Sequence, residues 1–237
     1  MGPSIQPKSF VLITGATSGL GRSMAEIFCS EGYGVILHGR TASNMEETKK
    51  LLQKYPDSYV SLLGDLSSDK TIQALAQLSE KKDISILINN AGECIKSDLD
   101  KLSSEQINNM VALNLSAAIN LTQKVYSFMK KRKSGIIVNI GSLDSLNASK
   151  SNSVYCATKY GLRGFTDSLR MEARDHGVRV VGVYPGGMKT ESYRKNAGDE
   201  KYNKAMEPRD IAKMILIACQ DNGSRSQDDL VIRGTAI

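Results

Sequence analysis

Thr14-Gly15-Ala16-Thr17-Ser18-Gly19-Leu20-Gly21 is the stretch that decides the fold. It follows a β-branched apolar run, Phe10–Thr14, and opens directly into an amphipathic one, Leu20–Ser30, so three glycines fall between a strand and a helix. In that context Gly15 permits a tight turn, Gly19 lets backbone approach a pyrophosphate, and Gly21 lets the helix pack close to the strand. Thr17, Ser18 and Leu20 belong to the same turn. The helix start adds free N–H donors and the positive end of its dipole, which attract phosphate.

Working outward, six further short runs follow: Gly34–His38, Val60–Leu63, Ile84–Ile88, Ile136–Ile140, Arg179–Val183 and Leu230–Ile232. Most lack polar alternation, as expected of parallel strands buried on both faces. Between them Ser43–Lys54, Asp69–Glu80, Ser104–Lys131, Val154–Asp175 and Pro208–Cys219 carry apolar residues at helical spacing. The pattern predicts an α/β fold, one domain over residues 1–237, with helices on both faces of a seven-stranded sheet. Ser104–Lys131 is long enough that a break or bend is expected. Residues after Pro185 show no periodicity as far as about Glu207, and a substrate loop is expected at about 190–207.

Composition excludes several classes. With 237 residues, 41% hydrophobic and 24% charged, the chain can bury a core without staples. Cys29, Cys94, Cys156 and Cys219 are scattered, and His38 and His176 are the only histidines, so neither a metal site nor a disulfide framework is expected. The net charge of +6 is mild. The basic run Lys130-Lys131-Arg132-Lys133 has no interleaved aromatics and reads as a helix end, not a nucleic-acid site. No apolar stretch is long enough to span a membrane or to serve as an export signal, and Gln6 stands where acylation of Gly2 would want Ser or Thr. A cytoplasmic protein is expected.

Two further sites carry chemistry. At the end of the second strand, Gly39 withholds the carboxylate that would repel a 2′-phosphate and Arg40 offers a guanidinium for one, favouring NADP(H) over NAD(H). Tyr155 and Lys159 lie one turn apart on a helix face. A neighbouring ammonium is expected to lower the phenol pKa, letting Tyr155 exchange a proton with a carbonyl or alcohol. Ser142, at the end of the fifth strand, is placed to hydrogen-bond the same oxygen, and Asn114 lies in the long helix before it.

Taken together these landmarks resemble the short-chain dehydrogenase/reductase family, in order and over nearly the whole chain. The resemblance implies a strand order of 3-2-1-4-5-6-7 and reversible hydride transfer to a carbonyl. It places Asn114, Ser142, Tyr155 and Lys159 on the catalytic tetrad. It puts Asp65, with Leu66, at the adenine, and Asn89, Ala91 and Gly92 of Asn89-Asn90-Ala91-Gly92 at the sheet centre and adenosine ribose. Pro185, Gly186, Met188 and Thr190 fall on the segment that holds the nicotinamide carboxamide. Among relatives it points toward 3-oxoacyl-carrier-protein reductases and other ketoreductases. The implied partners are a small or carrier-bound carbonyl substrate and copies of the chain in a homodimer or homotetramer.

Two departures qualify this. The C-terminus, Val231-Ile232-Arg233-Gly234-Thr235-Ala236-Ile237, lacks the Val-Asp-Gly-Gly-like ending that packs many tetramers. Glu93, Asp144, Asn147 and Asn152 stand where relatives often carry small or apolar residues, favouring a polar or carrier-bound substrate over a steroid. A catalytically silent NADP-binding sensor or regulatory protein is the alternative, though such proteins usually lose the tyrosine or lysine. An epimerase or dehydratase would want a longer chain.

Overall fold

The computed structural model describes residues 9–220 and 227–235. Seven strands, β1 (Phe10–Ile13), β2 (Gly34–Gly39), β3 (Tyr59–Leu63), β4 (Ile84–Asn89), β5 (Gly135–Ile140), β6 (Val178–Pro185) and β7 (Asp229–Ile232), form one sheet in the order β3-β2-β1-β4-β5-β6-β7. All neighbouring pairs are parallel. The helices are α1 (Gly19–Ser30), α2 (Ala42–Leu52), α3 (Asp69–Lys81), α4 (Ser104–Val111), α5 (Ala117–Arg132), α6 (Ser153–Arg174), α7 (Glu191–Ala197), α8 (Asp199–Asn203) and α9 (Pro208–Gln220).

The buried run of β1 explains why its sequence does not alternate. Val11 and Ile13 join Met24 and Phe28 of α1 and Ile215 of α9 in a core on one face, while Leu12 joins Leu75 of α3 and Leu121 of α5 on the other. Chain direction across the sheet reverses between β1 and β4, and a crevice opens beyond their carboxyl ends, where parallel α/β sheets bind ligands.

The long fourth helical stretch does break. Between α4 and α5, Ala112–Ser116 form a π-turn, and Asn114 sits inside it. The basic run caps α5, with Lys133 left-handed at its end. The segment after Pro185 departs from expectation: it holds two short helices, α7 and α8. Neither buries a residue, so no apolar period marks them. Their only local signals are Thr190, whose hydroxyl caps α7 by accepting from Tyr193 N, and Gly198, at φ 81°, which ends it. The four cysteines are free thiols. Among the described residues no cluster of side chains could hold a metal ion, and no helix is long and apolar enough to cross a membrane. Gly2, Gln6, Ala236 and Ile237 lie outside the described residues.

Candidate active site

The glycine-rich turn is held from three sides. Asn90, just beyond β4, donates from Nδ2 to Thr14 O at 2.8 Å and Gly15 O at 3.2 Å, while Thr14 Oγ1 accepts from the amides of Asn90 and Ala91. His38 of β2 accepts from Gly15 N at Nδ1, 3.4 Å, which leaves Nε2 to donate to Gly64 O at 3.1 Å. Burial lowers the imidazole pKa and keeps this neutral tautomer in place. Gly21 has no room for a side chain: a Cβ there would stand 2.0 Å from Gly15 O. Neither Asn90 nor His38 figures among the sequence-derived contacts, although the motif Asn89-Asn90 marked the place.

Gly15, Thr17, Ser18, Gly19, Leu20 and Gly21 line one side of a long cleft of about 360 Å³. Arg40, Asp65 and Leu66 line its outer end, and Ala91, Gly92, Tyr155, Lys159, Met188 and Thr190 its inner end. A phosphate cradle, a guanidinium and an aspartate in that sequence along one cleft fit an extended dinucleotide carrying an extra phosphate. The Gly39 position is more restrictive than charge alone suggests: a Cβ would meet Thr17 Cγ2 at 2.4 Å and Oγ1 at 2.6 Å. Thr17 fills the space in which an acidic side chain would begin.

The side chain of Asn89 serves the sheet centre, one of the two places the motif was expected to reach. It lies in the core, 4% exposed, donating to Thr122 Oγ1 and Asn139 Oδ1, both at 2.8 Å. Asn139 in turn donates to Thr166 Oγ1 at 2.9 Å. This buried chain ties β4 and β5 to α5 and α6, while Asn90, the neighbour of Asn89, lines the cleft.

A second cavity adjoins the inner end of the first and shares Cys94, Tyr155, Met188 and Thr190 with it. Ser142, Pro185 and Gly186 line this second cavity, with Asp144 and Asn152. Glu93 faces the cofactor-type cleft instead, and Asn147 lines neither. Ser142 starts the 3-10 turn after β5, where its Oγ accepts from Asp144 N at 3.1 Å and its own amide donates to Ser145 Oγ. Its hydroxyl position is therefore fixed, within hydrogen-bonding reach of the Tyr155 phenol.

Lys159 is 5% exposed and donates from Nζ to Ile140 O at 2.9 Å. Burial lowers its pKa to about 8. Nζ lies 5.7 Å from the Tyr155 ring centroid. The phenol does not behave as the sequence suggests: burial pushes its pKa up, nearby Cys94 adds to this, and the Ser142 hydroxyl opposes it. Desolvation outweighs the ammonium, which is itself disfavoured by burial and is engaged by a carbonyl. Tyr155 is thus a neutral phenol in the protein alone.

Asn114 is brought next to this group without entering either cavity. It is 1% exposed, donates from Nδ2 to Glu93 O at 2.8 Å and Thr158 Oγ1 at 3.2 Å, and accepts from Glu93 N at Oδ1, 2.8 Å. The π-turn aims it across to the loop after β4, so it positions Gly92 and Glu93 against α6.

A profile of the short chain dehydrogenase family matches residues 9–201. The chain is 35% identical over 221 residues to an NADP-dependent 3-hydroxy acid dehydrogenase from Schizosaccharomyces pombe, covering 88% of this chain and 85% of the relative. Among solved structures it resembles a short-chain dehydrogenase from Sphingobium yanoikuyae in complex with NADPH, at 28% identity and a TM-score of 0.85, over 97% of this chain and 89% of that one. A metagenomic short-chain oxidoreductase in complex with NADP gives 27% identity and a TM-score of 0.83, over 97% and 98% of the two chains. With its strand order, its glycine-rich turn and the Ser142, Tyr155 and Lys159 cluster already in place, the chain belongs to the short-chain dehydrogenase family.

Proposed function

We propose that the protein is an NADP(H)-dependent oxidoreductase that interconverts a carbonyl and a secondary alcohol on a polar substrate, with 3-oxo and 3-hydroxy acids or their thioesters as the favoured class. The observation that carries this reading is the position of Tyr155 at the junction of the two cavities, beside Ser142 and Lys159. When bound, the dinucleotide supplies or takes up the hydride. The chain supplies the proton: neutral Tyr155 donates from its hydroxyl to the substrate oxygen while Ser142 donates a hydrogen bond to the same atom. Lys159, held on Ile140 O, offers a positive charge near the phenolate that remains. The polar lining by Asp144 and Asn152 and the 3-hydroxy acid named for the 35% identical relative support the substrate class. The testing experiment follows NADPH absorbance over a panel of ketones, 3-oxo acids and 3-oxoacyl thioesters.

Cofactor choice is tested at Arg40. Losing a charged hydrogen bond to the 2′-phosphate costs about 1.5–3 kcal/mol, so Arg40→Ala should weaken NADPH roughly ten- to a hundredfold and leave NADH unchanged. Calorimetric titration of both cofactors measures this; equal affinities in the wild type overturn the assignment.

Residues 190–207 are proposed to close over the substrate. Asn196 of α7 donates to Cys94 O at 3.0 Å and accepts from Lys96 N at 3.2 Å, so opening must break both bonds. Hydrogen exchange should slow at these amides on adding NADPH with a substrate analogue. Unchanged exchange would make the segment a fixed wall.

A further inference from the structure

We propose that Lys96 and Lys201 form a cationic rim on the second cavity that holds an anionic group of the substrate, a carboxylate or a phosphate, away from the reacting carbonyl. The proposal rests on the oxidoreductase reading above and specifies what that site accepts. Both lysines line the cavity that contains Ser142 and Tyr155, and they come from separate segments, Lys96 from the loop after β4 and Lys201 from α8. Asn196 links the two segments, since its hydrogen bonds to Lys96 N and Cys94 O fix the start of one lysine and its helix, α7, leads through Gly198 into α8, which carries the other.

Charge accounting over residues 189–207 isolates Lys201. Every carboxylate of that segment faces another cation: Glu191 with Lys195, Asp199 with Arg194, Glu200 with Lys204 and Glu207 with Lys189. Lys201 has no ion pair among the described residues, and neither does Lys96, whose neighbour Asp98 is taken by Lys101 and Ser151. Arg194 also lies over the Tyr202 ring, 5.6 Å from its centroid, which ties α8 to α7 and keeps Lys201 on the cavity side.

Asp144 sets the direction in which an anion can lie. It occupies the same cavity two residues from Ser142, and its Oδ2 accepts from Asn152 Nδ2 at 3.1 Å. A second negative charge beside it is unfavourable, whereas one at the rim meets two lysines. The arrangement orients an anionic carbonyl compound with its carbonyl toward Tyr155 and its charge outward.

The test compares substrates that differ only in charge, acetoacetate with its methyl ester and dihydroxyacetone phosphate with dihydroxyacetone, on wild type, Lys96→Met, Lys201→Met and the double variant. For the anionic member of the preferred pair, kcat/KM should fall roughly tenfold per lysine, carried by KM, while the neutral member is unaffected. Which pair responds distinguishes a carboxylate from a phosphate. Equal losses on charged and neutral substrates, or none, overturn the rim. Calorimetric titration of 3-hydroxybutanoate, of glycerol 3-phosphate and of neutral 1,3-butanediol gives an independent readout. If no carbonyl is turned over, the oxidoreductase reading fails, and lysine-dependent preference for either anion in this titration still upholds the rim; absence of that preference overturns it.

Discussion

Tyr155→Phe should fold, bind NADPH as the wild type does, and lose about 10²–10⁴ in turnover, the range that a positioned general acid supplies. The substitution removes one hydroxyl and keeps the ring that stands between the two cavities. The direction of the phenol's shift adds a second expectation. Because burial raises its pKa, the neutral form dominates across the physiological range, so the reductive reaction finds its proton donor ready-made. Alcohol oxidation needs the phenolate and should accelerate as pH rises toward about 8, while reduction stays nearly flat below the pH at which Lys159 gives up its charge. Steady-state rates in both directions, with calorimetry to confirm cofactor binding by the variant, check this. More than about a tenth of wild-type turnover in Tyr155→Phe would remove Tyr155 from the role of acid.

The strand pattern and the glycine spacing made the sheet and its cleft legible because both arise from local rules: apolar runs buried on two faces, and a turn that tolerates no Cβ. What stayed hidden depended on contacts remote in sequence. Asn89 and Asn90 are adjacent and chemically identical, yet one closes a buried ladder with Asn139 and Thr122 and the other grips the glycine turn. Only the pleat at the end of β4 separates those fates. Helices α7 and α8 escaped notice because exposed helices of a single turn or two carry no periodic apolar face. The phenol pKa moved against expectation because a spacing on a helix gives proximity but not solvation. Tyr155 and Lys159 are near each other, as the spacing predicts, but both are desolvated.

Lys159→Met should abolish useful turnover and at the same time change how stability depends on pH. The ordinary lysine value of 10.5 falls to about 8 in the folded chain through burial, so the unfolded chain binds the extra proton throughout the interval between them. Stability of the wild type therefore rises with pH from about 8 toward 10.5, and below 8 the full cost of burying the cation is present. Converting the interval at 1.36 kcal/mol per unit gives about 3 kcal/mol. Methionine has similar length and no charge, so the variant lacks this term. It loses the Nζ bond to Ile140 O at every pH where the bond exists, an offset of about 1–3 kcal/mol that leaves the sign of net stabilisation at pH 7 to the balance of the two. The slope is the cleaner quantity. Urea unfolding of the protein without cofactor at a series of pH values should show the variant's advantage shrinking by about 3 kcal/mol from pH 7 to 10.5, since other groups titrate alike in both proteins. Parallel curves would mean that Lys159 keeps an ordinary pKa. On the proposed reading, a lysine held at a cost in stability beside Tyr155 is kept for its charge, because an apolar side chain of the same length would fill that position without burying a cation.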